Sequence, residues 1–205
     1  MYGICNLSIV PLRAAPSDSS EMVSQILFGE FFTILEQQKY WSKIRLASDD
    51  FEGFIDHKQF EKISEDLYQK LLVDAPFYSG EFVDFITDAT NNLLTIPIGS
   101  RLPFFADHHF FINSKKYNYQ GKVFSNKMAK SEIIRNAFTF LNAPFLWGGK
   151  TPFGIDCSGF TQMVYKICGY KLLRDAKQQA KQGEVLSFIE ESEPGDLAFF
   201  DNDEG

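Results

Sequence analysis

One cysteine in this chain lies in a setting that could support nucleophilic chemistry. Cys157 follows Gly154-Ile155-Asp156 and precedes Ser158-Gly159-Phe160, so small residues flank it on both sides. The apolar spacing after it predicts a helix that begins at this cysteine. The unpaired N–H groups of a helix start carry partial positive charge, which stabilises a thiolate and can help to hold an oxyanion. Cys157 is therefore a candidate nucleophile. The alternative is a buried and unreactive helix cysteine.

The remaining cysteines and the histidines offer less chemistry. Cys157 and Cys168 lie on one predicted helix, roughly 16 Å apart, which exceeds the ~7 Å between Cα atoms that a disulfide allows. With Cys5 they fit a reducing compartment, and we expect Cys168, on the apolar face, to be buried and inert. His108 and His109 are adjacent but have no nearby cysteine, so they make a weak metal site. We expect no metal and no cofactor, and no phosphate-binding loop is present.

The elements around Cys157 must position it, and the apolar spacing predicts two helices. The apolar stripe of the first is Ile134, Ala137, Phe138 and Leu141, and that of the second is Phe160, Met163, Val164 and Ile167. Ser131 or Asn126 is expected to cap the first helix, and Pro144 to end it. Gly169 is expected to stop the second. A polar segment over residues 174–183 and a strand over residues 196–200 follow, which predicts an α+β segment.

The first 120 residues are predicted to be rich in strands. Five short strands are expected, over residues 6–13, 24–35 (with a bend at Gly29-Glu30), 41–46 and 51–55, which favours a small barrel. Phe60, Ile63, Leu67 and Leu71 recur at helical spacing and predict a connecting helix. Further strands are expected at residues 102–105, 110–112 and 117–119, with turns at residues 99–100 and 114–118. These favour a second small barrel.

The composition limits the range of partners. The chain has 205 residues, of which 44% are hydrophobic and 23% charged, as in ordinary globular proteins. The net charge of −7 and the lack of a basic run argue against nucleic acid and membrane as partners. No signal peptide or apolar span is visible, so we expect a cytoplasmic monomer, or a periplasmic protein if the true N-terminus is missing.

Four segments in the C-terminal half occur in an order that is typical of one family. Residues 145–149, 154–160, 172–179 and 194–200 together resemble the NlpC family of bacterial cell-wall cysteine peptidases. The resemblance implies a partial papain-like domain over residues 123–205. It also implies two bacterial SH3-like barrels before it, one at residues 1–60 and one, with a linker helix, at 61–122. In that branch the enzymes cleave the bond between γ-D-Glu and a diamino acid in murein peptides with a free L-Ala amine.

The resemblance also implies roles for individual residues. Cys157 is the nucleophile and Asp156 supports its turn, although Asp156 could be a simple helix cap. The implied cleft residues are Phe145, Trp147, Gly148 and Ser158, and the implied substrate-binding residues are Glu30, Phe51, Arg174 and Asp175. Phe145 and Phe51 stand where the family usually has tyrosine. Glu30 and Asp175 would share the substrate ammonium, since a desolvated cation needs paired anions.

The family's catalytic histidine is expected on a strand that follows residues 194–200. The histidines of this chain are His57, His108 and His109, all upstream of Cys157. We therefore expect the 205-residue chain to end before that strand and to lack turnover. Two alternatives stay open, namely an amidase or acyltransferase on the same core, and a non-enzymatic module that binds cell-wall fragments.

Overall fold

A seven-stranded antiparallel sheet, called here the N-terminal sheet, begins the fold in the computed structural model, which describes residues 1–200. Its strands are β1 (Tyr2–Ile4), β2 (Ile9–Arg13), β3 (Met22–Leu27), β4 (Phe31–Gln37), β5 (Trp41–Leu46), β6 (Glu52–Asp56) and β7 (Glu61–Ile63). They lie in the order β3-β2-β6-β5-β4-β1-β7. The strand predicted at residues 41–46 and the bend at Gly29-Glu30 are confirmed. Strands β1 and β7 were not predicted; each has three residues, and the two pair with each other.

The connecting helix is shorter than predicted. Helix α1 (Glu65–Val73) begins after Ser64, whose hydroxyl accepts a hydrogen bond from the Leu67 amide at 3.1 Å. Phe60 and Ile63 lie outside it, because residues 61–63 pair with β1 before the helix cap. Their helical spacing was coincidental, and strand pairing decided the local structure.

The middle of the chain forms a second sheet, called here the middle sheet. This part of the chain has six strands, namely β8 (Tyr78–Ser79), β9 (Val83–Asp88), β10 (Leu93–Pro97), β11 (His109–Ile112), β12 (Lys115–Asn118) and β13 (Val123–Phe124). Four of them form the middle sheet in the order β10-β9-β12-β11, and β13 pairs with β8. The strand predicted at residues 102–105 is wrong, since the backbone turns there and Phe104 has a φ of +54°. A turn does include Gly99, but the one expected at residues 114–118 is at 113–114, before β12.

The last part of the described chain holds helices α2 (Lys130–Ala137), α3 (Cys157–Ile167) and α4 (Ala176–Gln179). The hairpin of β14 (Lys150–Thr151) and β15 (Gly154–Ile155) lies directly before α3. Helix α3 confirms the prediction, and Gly169 ends it in the left-handed conformation with a φ of +80°. The strand predicted at residues 196–200 is wrong for the described residues, because no neighbouring strand pairs with that segment. Residues 201–205 of the predicted third domain lie outside the described part.

Helix α2 differs from its prediction in both its cap and its buried face. Its N-cap position is Ala129, and neither Ser131 nor Asn126 caps it, because the chain is tied to the end of α3 by a bond from Met128 N to the Cys168 carbonyl. The helix ends well before Pro144, since residues Phe138–Phe140 tighten into a 3₁₀ turn. That turn brings Phe140 inward, whereas most of the predicted stripe faces solvent along a groove of about 370 Å³.

The core joins the three parts of the chain. One buried cluster combines the N-terminal sheet, α1 and the middle sheet, for example Phe28 with Phe110. A second cluster combines Leu27 of β3 and Ile98 with the buried face of α3. Strand β3 is therefore packed next to the helix that carries Cys157. None of the helices in residues 1–200 is long and apolar enough to cross a membrane.

Candidate active site

Cys157 is the first residue of α3, and its side chain is a free, solvent-exposed thiol. The preceding residue, Asp156, is the N-cap of the helix. Its Oδ1 accepts a hydrogen bond from the Gly159 amide at 2.7 Å. Because Gly159 and Phe160 both donate their amides to Asp156, the first turn of the helix is held in place beneath the thiol.

The other carboxylate oxygen of Asp156 holds the loop at Gly148-Gly149, called here the glycine loop, which directly precedes the β14–β15 hairpin. Asp156 Oδ2 accepts a hydrogen bond from the Gly148 amide at 2.8 Å. Gly148 has a φ of +75°, and a Cβ there would overlap the Met22 carbonyl of β3. Only glycine fits this position without strain, because both the backbone conformation and the close approach of β3 exclude a side chain. One carboxylate thus connects the loop to the helix of Cys157.

Arg174 lies behind this carboxylate, where its side chain is only 2% exposed. Its Nη1 and Nη2 donate to Asp156 Oδ1 and Oδ2 at 3.0 and 2.6 Å, and Nη1 also donates to Ser158 Oγ at 2.9 Å. The guanidinium of Arg174 is thus buried in an internal ion pair, and its expected role in substrate recognition stays a prediction. Within the polar segment at residues 174–183, Arg174 and Gln179 are buried.

The ion pair also sets the charge state of Asp156. Burial alone would raise the pKa of this carboxyl. The hydrogen bonds and charge of Arg174, with the amides of Gly159 and Gly148, instead hold the pKa below its ordinary value. Asp156 therefore stays ionised at neutral pH and keeps all of these donors.

Two residues of β3, in the N-terminal sheet, form hydrogen bonds with Arg174 and with the β14–β15 hairpin. Arg174 Nε donates to Ser24 Oγ at 3.0 Å, and the Lys150 amide donates to Gln25 Oε1 at 2.7 Å. Neither residue was predicted as part of the site. Ser24 and Arg174 are 150 positions apart, and nothing in a short serine-containing strand indicates such a partner.

Glu30 lies in a buried junction between the N-terminal sheet and α3. Its Oε1 is 2.6 Å from Lys166 Nζ and 3.6 Å from Lys150 Nζ, and its Oε2 accepts the Leu27 amide at 2.9 Å. Burial would raise the pKa of Glu30, but the two lysines and the Leu27 amide lower it to about 2. The carboxylate is 5% exposed and is paired with two internal ammonium groups, and its expected role in binding a substrate ammonium stays a prediction.

The remaining predicted site residues are exposed or partly exposed. Asp175 is exposed at the start of α4, where its amide donates to Gln178 Oε1 at 3.3 Å. Phe51 packs against the core of the N-terminal sheet, so its ring is only partly accessible. Phe145 and Trp147 are exposed, which makes Trp147 a surface residue rather than a core one.

A carboxylate that the sequence analysis missed lies beside Trp147. The indole Nε1 of Trp147 donates to Glu21 Oε1 at 2.6 Å. Glu21 directly precedes β3 and is exposed. A carboxylate directly before β3, that of Glu21, therefore lies next to the predicted cleft.

The histidines lie apart from these groups. His57 Nε2 is 3.0 Å from Ser42 Oγ in the N-terminal sheet, and His109 Nδ1 is 3.0 Å from the Asp107 carbonyl. No hydrogen bond within residues 1–200 joins a histidine to Cys157.

Comparison with known proteins agrees with this architecture. A model of the NlpC/P60 family matches residues 142–205, and a model of the bacterial dipeptidyl-peptidase Sh3 domain matches residues 12–60. Dipeptidyl-peptidase 6 of Lysinibacillus sphaericus is 34% identical over 227 aligned positions, which cover 98% of this chain and 82% of that protein. The chain belongs to the NlpC/P60 family.

Other NlpC/P60 relatives match over shorter lengths. The γ-D-glutamyl-L-lysine dipeptidyl-peptidase of Bacillus subtilis is 42% identical over 83 residues, which are 40% of this chain and 28% of that protein. The match therefore spans less than a third of that relative. An NlpC/P60 protein from Bacillus cereus has a crystal structure that covers 100% of this chain, with a TM-score of 0.84 at 20% identity. The alignment covers 84% of that structure and shows a shared fold.

These matches confirm the predicted family and the SH3 domain in the N-terminal sheet. That the middle sheet is a second SH3-like barrel stays a prediction, as do the domain limits at residues 60 and 122. The strands cross both limits, since β7 extends the N-terminal sheet to Ile63 and β13 (Val123–Phe124) pairs back with β8.

The three thiols of this NlpC/P60 protein differ in their surroundings. Cys5 and Cys168 are fully buried, whereas Cys157 is exposed. Burial raises the pKa of Cys5 to about 12. Burial also raises the pKa of Cys168, although a hydrogen bond from Asn136 at 3.3 Å opposes the shift.

We expect iodoacetamide at neutral pH to alkylate Cys157 before the other two thiols, because only Cys157 is both accessible and placed at a helix start. Peptide mapping over a time course measures the three rates. Cys157→Ser should remove the fast phase and leave the slow ones. Modification of Cys168 first would contradict the assignment of Cys157 as the reactive thiol.

Proposed function

We propose that this protein is a cysteine peptidase that hydrolyses the bond between γ-D-Glu and a diamino acid in murein-derived peptides. The observation that carries the proposal is the exposed Cys157 thiol at the start of α3, above a buried Asp156–Arg174 pair that holds its turn. A thiol needs such a fixed turn to attack a carbonyl from one direction. The names of the B. subtilis and L. sphaericus relatives also favour this reaction class.

The proposed mechanism begins with the Cys157 thiolate. Its sulfur attacks the γ-D-glutamyl carbonyl carbon, and the carbonyl electrons move to the oxygen. The amides of Gly159 and Phe160 are occupied by Asp156, whereas neither Cys157 N nor Ser158 N donates to another group within residues 1–200. We assign these two amides to the developing oxyanion.

Collapse of this intermediate breaks the C–N bond and leaves an acyl-thioester on Cys157. The departing amine takes a proton from the base that accepted it from the thiol. Water then hydrolyses the thioester and restores the thiol. The family resemblance implies that the base is a histidine on a later strand.

We expect the 205-residue polypeptide itself to lack measurable turnover. A cysteine peptidase needs a base within hydrogen-bond reach of the thiol, and no histidine within residues 1–200 forms a hydrogen bond with Cys157. The assay is release of diaminopimelate from L-Ala-γ-D-Glu-diaminopimelate. Robust release by this polypeptide, abolished by Cys157→Ser, would require a different base.

We propose that Asp175 and Glu21, rather than Asp175 and Glu30, bind the free amine of the substrate. Both carboxylates are exposed, Asp175 at the start of α4 and Glu21 beside Trp147. A buried or partly desolvated ammonium needs such anions, and Glu30 cannot supply one while it is paired with Lys166.

Asp175→Ala should weaken binding of the free-amine tripeptide by roughly 2–5 kcal/mol, because one carboxylate of the ammonium site is lost. Calorimetric titration of the 205-residue protein with L-Ala-γ-D-Glu-diaminopimelate measures this. N-acetylating the tripeptide should cause a similar loss in the unmutated protein and little further loss in the variant.

Asp66→Ala is the matched control, since Asp66 is an exposed carboxylate of α1 that pairs with Lys70. It should leave tripeptide affinity unchanged. Equal affinity for the acetylated and free-amine peptides would exclude the amine site and favour the amidase alternative.

A further inference from the structure

Strand β3 of the N-terminal sheet runs directly behind the turn that carries Cys157. It makes three contacts there in four consecutive residues. The Met22 carbonyl lies against Gly148, Ser24 Oγ accepts from Arg174 Nε at 3.0 Å, and Gln25 Oε1 accepts from the Lys150 amide at 2.7 Å. This strand therefore touches both the glycine loop and the arginine that supports Asp156.

The contact with Ser24 completes the hydrogen bonding of Arg174. The two terminal nitrogens of the guanidinium bind the two oxygens of Asp156, so the plane of the guanidinium must coincide with that of the carboxylate. Nε lies in the same plane and points to Ser24. Because Ser24 is fully buried and Arg174 nearly so, water is not available to replace a lost partner.

Loss of the hydrogen bond between Ser24 and Arg174 would affect the start of α3 through Asp156. Its two oxygens hold the amides of Gly148 and Gly159, one on each side of the Cys157 turn. A guanidinium that loses Ser24 can rotate, and the carboxylate must then move with it or give up one of its donors. The amides of Gly148 and Gly159 report such a change directly.

We propose that Ser24 is a positioning residue for Cys157, so that the N-terminal sheet is a structural part of the nucleophile turn. This inference rests on the proposed role of Cys157. Ser24 acts through a series of hydrogen bonds that leads to Arg174, then to Asp156, and then to the amides of Gly148 and Gly159, which fix the turn.

The test compares Ser24→Ala with Ser42→Ala in the 205-residue protein. Ser42 is a fully buried serine of the same sheet whose hydroxyl binds His57, so each variant loses one buried hydroxyl. Hydrogen exchange by NMR reports the amides of Gly148 and Gly159, and the iodoacetamide rate reports Cys157. We expect Ser24→Ala to speed exchange at both amides by about tenfold, as for the loss of one buried hydrogen bond, and to change the Cys157 rate severalfold.

Ser42→Ala should lower the melting temperature to a similar extent but leave both readouts at their unmutated values. Ser24→Thr, which keeps the hydroxyl, should restore them. If Ser24→Ala and Ser42→Ala give equal exchange at Gly148 and Gly159, the positioning role is excluded and Ser24 only stabilises the fold.

A second variant covers the case in which Ser24→Ala does not fold. Ser24→Cys keeps a side chain of similar size but replaces the hydroxyl with a weak acceptor for Arg174 Nε, so it should also speed exchange at Gly148 and Gly159. Unchanged exchange there would overturn the proposal. A Cys157 thiol that is inert in the unmutated protein would instead overturn the proposed function, while the amide exchange would still decide the role of Ser24.

Discussion

Replacing Glu30 with glutamine is expected to lower the free energy of unfolding by about 3–5 kcal/mol, because it leaves two lysine ammonium groups without their buried counter-charge. Lys150 is only 1% exposed, and burial lowers its pKa even though Glu30 opposes that shift. Lys166 is largely buried as well. Urea unfolding monitored by circular dichroism measures the effect.

Glu52→Gln is the control for Glu30→Gln. Glu52 also contacts two cations, Lys43 and Arg45, but at the protein surface. Such a pair contributes little, so the control should unfold close to the unmutated midpoint. Adding Lys150→Met to Glu30→Gln should recover part of the loss, since it removes one of the unpaired charges. A Glu30→Gln variant as stable as the Glu52→Gln variant would contradict the buried junction.

The same junction gives a defined acid sensitivity. A carboxyl whose folded pKa is depressed stabilises the fold above its unfolded pKa of about 4.3, and this contribution is lost as the pH falls toward the folded value. For Glu30 that folded pKa is about 2. Stability that depends on Glu30 should therefore be complete at neutral pH and decline between these two values, and Glu30→Gln should flatten that part of the profile.

Arg174→Met is the second change with a large expected effect, about 3–5 kcal/mol of unfolding free energy, because Asp156 would keep a buried charge without its ion partner. The loss of the guanidinium should also slow the alkylation of Cys157 or spread its rate over a wider range, since Asp156 can no longer be held in one orientation. Urea unfolding and peptide mapping with iodoacetamide measure the two effects.

Arg135→Met provides the control for Arg174→Met. Arg135 is an exposed residue of α2 whose contact with Glu132 is 3.7 Å long. It should change neither stability nor the alkylation rate. An Arg174→Met variant that unfolds like the control would show that Asp156 does not depend on this ion pair.

The sequence predicted the local features of the site better than its long-range contacts. The helix from Cys157, its stop at Gly169 and the strand at residues 41–46 all depend on local spacing and glycine conformation, and all are present. The end and the buried face of helix α2 were predicted less well, because a 3₁₀ turn at its end changes the face that is buried. No periodicity in the sequence signals that change.

The roles of Arg174 and Glu30 could not be predicted for a different reason. Each is a charged residue, and a charged side chain is normally exposed to solvent. Their burial depends on partners that lie far away in the chain, Ser24 for Arg174 and Lys166 for Glu30. These partners come together where β3 and the residues after it pack against α3 and the residues that follow α3.

The placement of β3 behind the nucleophile turn has a consequence for how this fold can be recombined. A boundary drawn between the SH3 domain and the NlpC/P60 region would cut through Arg174–Ser24 and Lys166–Glu30, and each cut would expose a cation selected for a buried partner. Exchange of the SH3 domain for another would succeed only if the incoming domain supplied a hydroxyl at the position of Ser24 and a carboxylate at the position of Glu30, after the end of β3. The unit that can be exchanged is therefore the turn of Cys157 together with β3 and the segment up to Glu30.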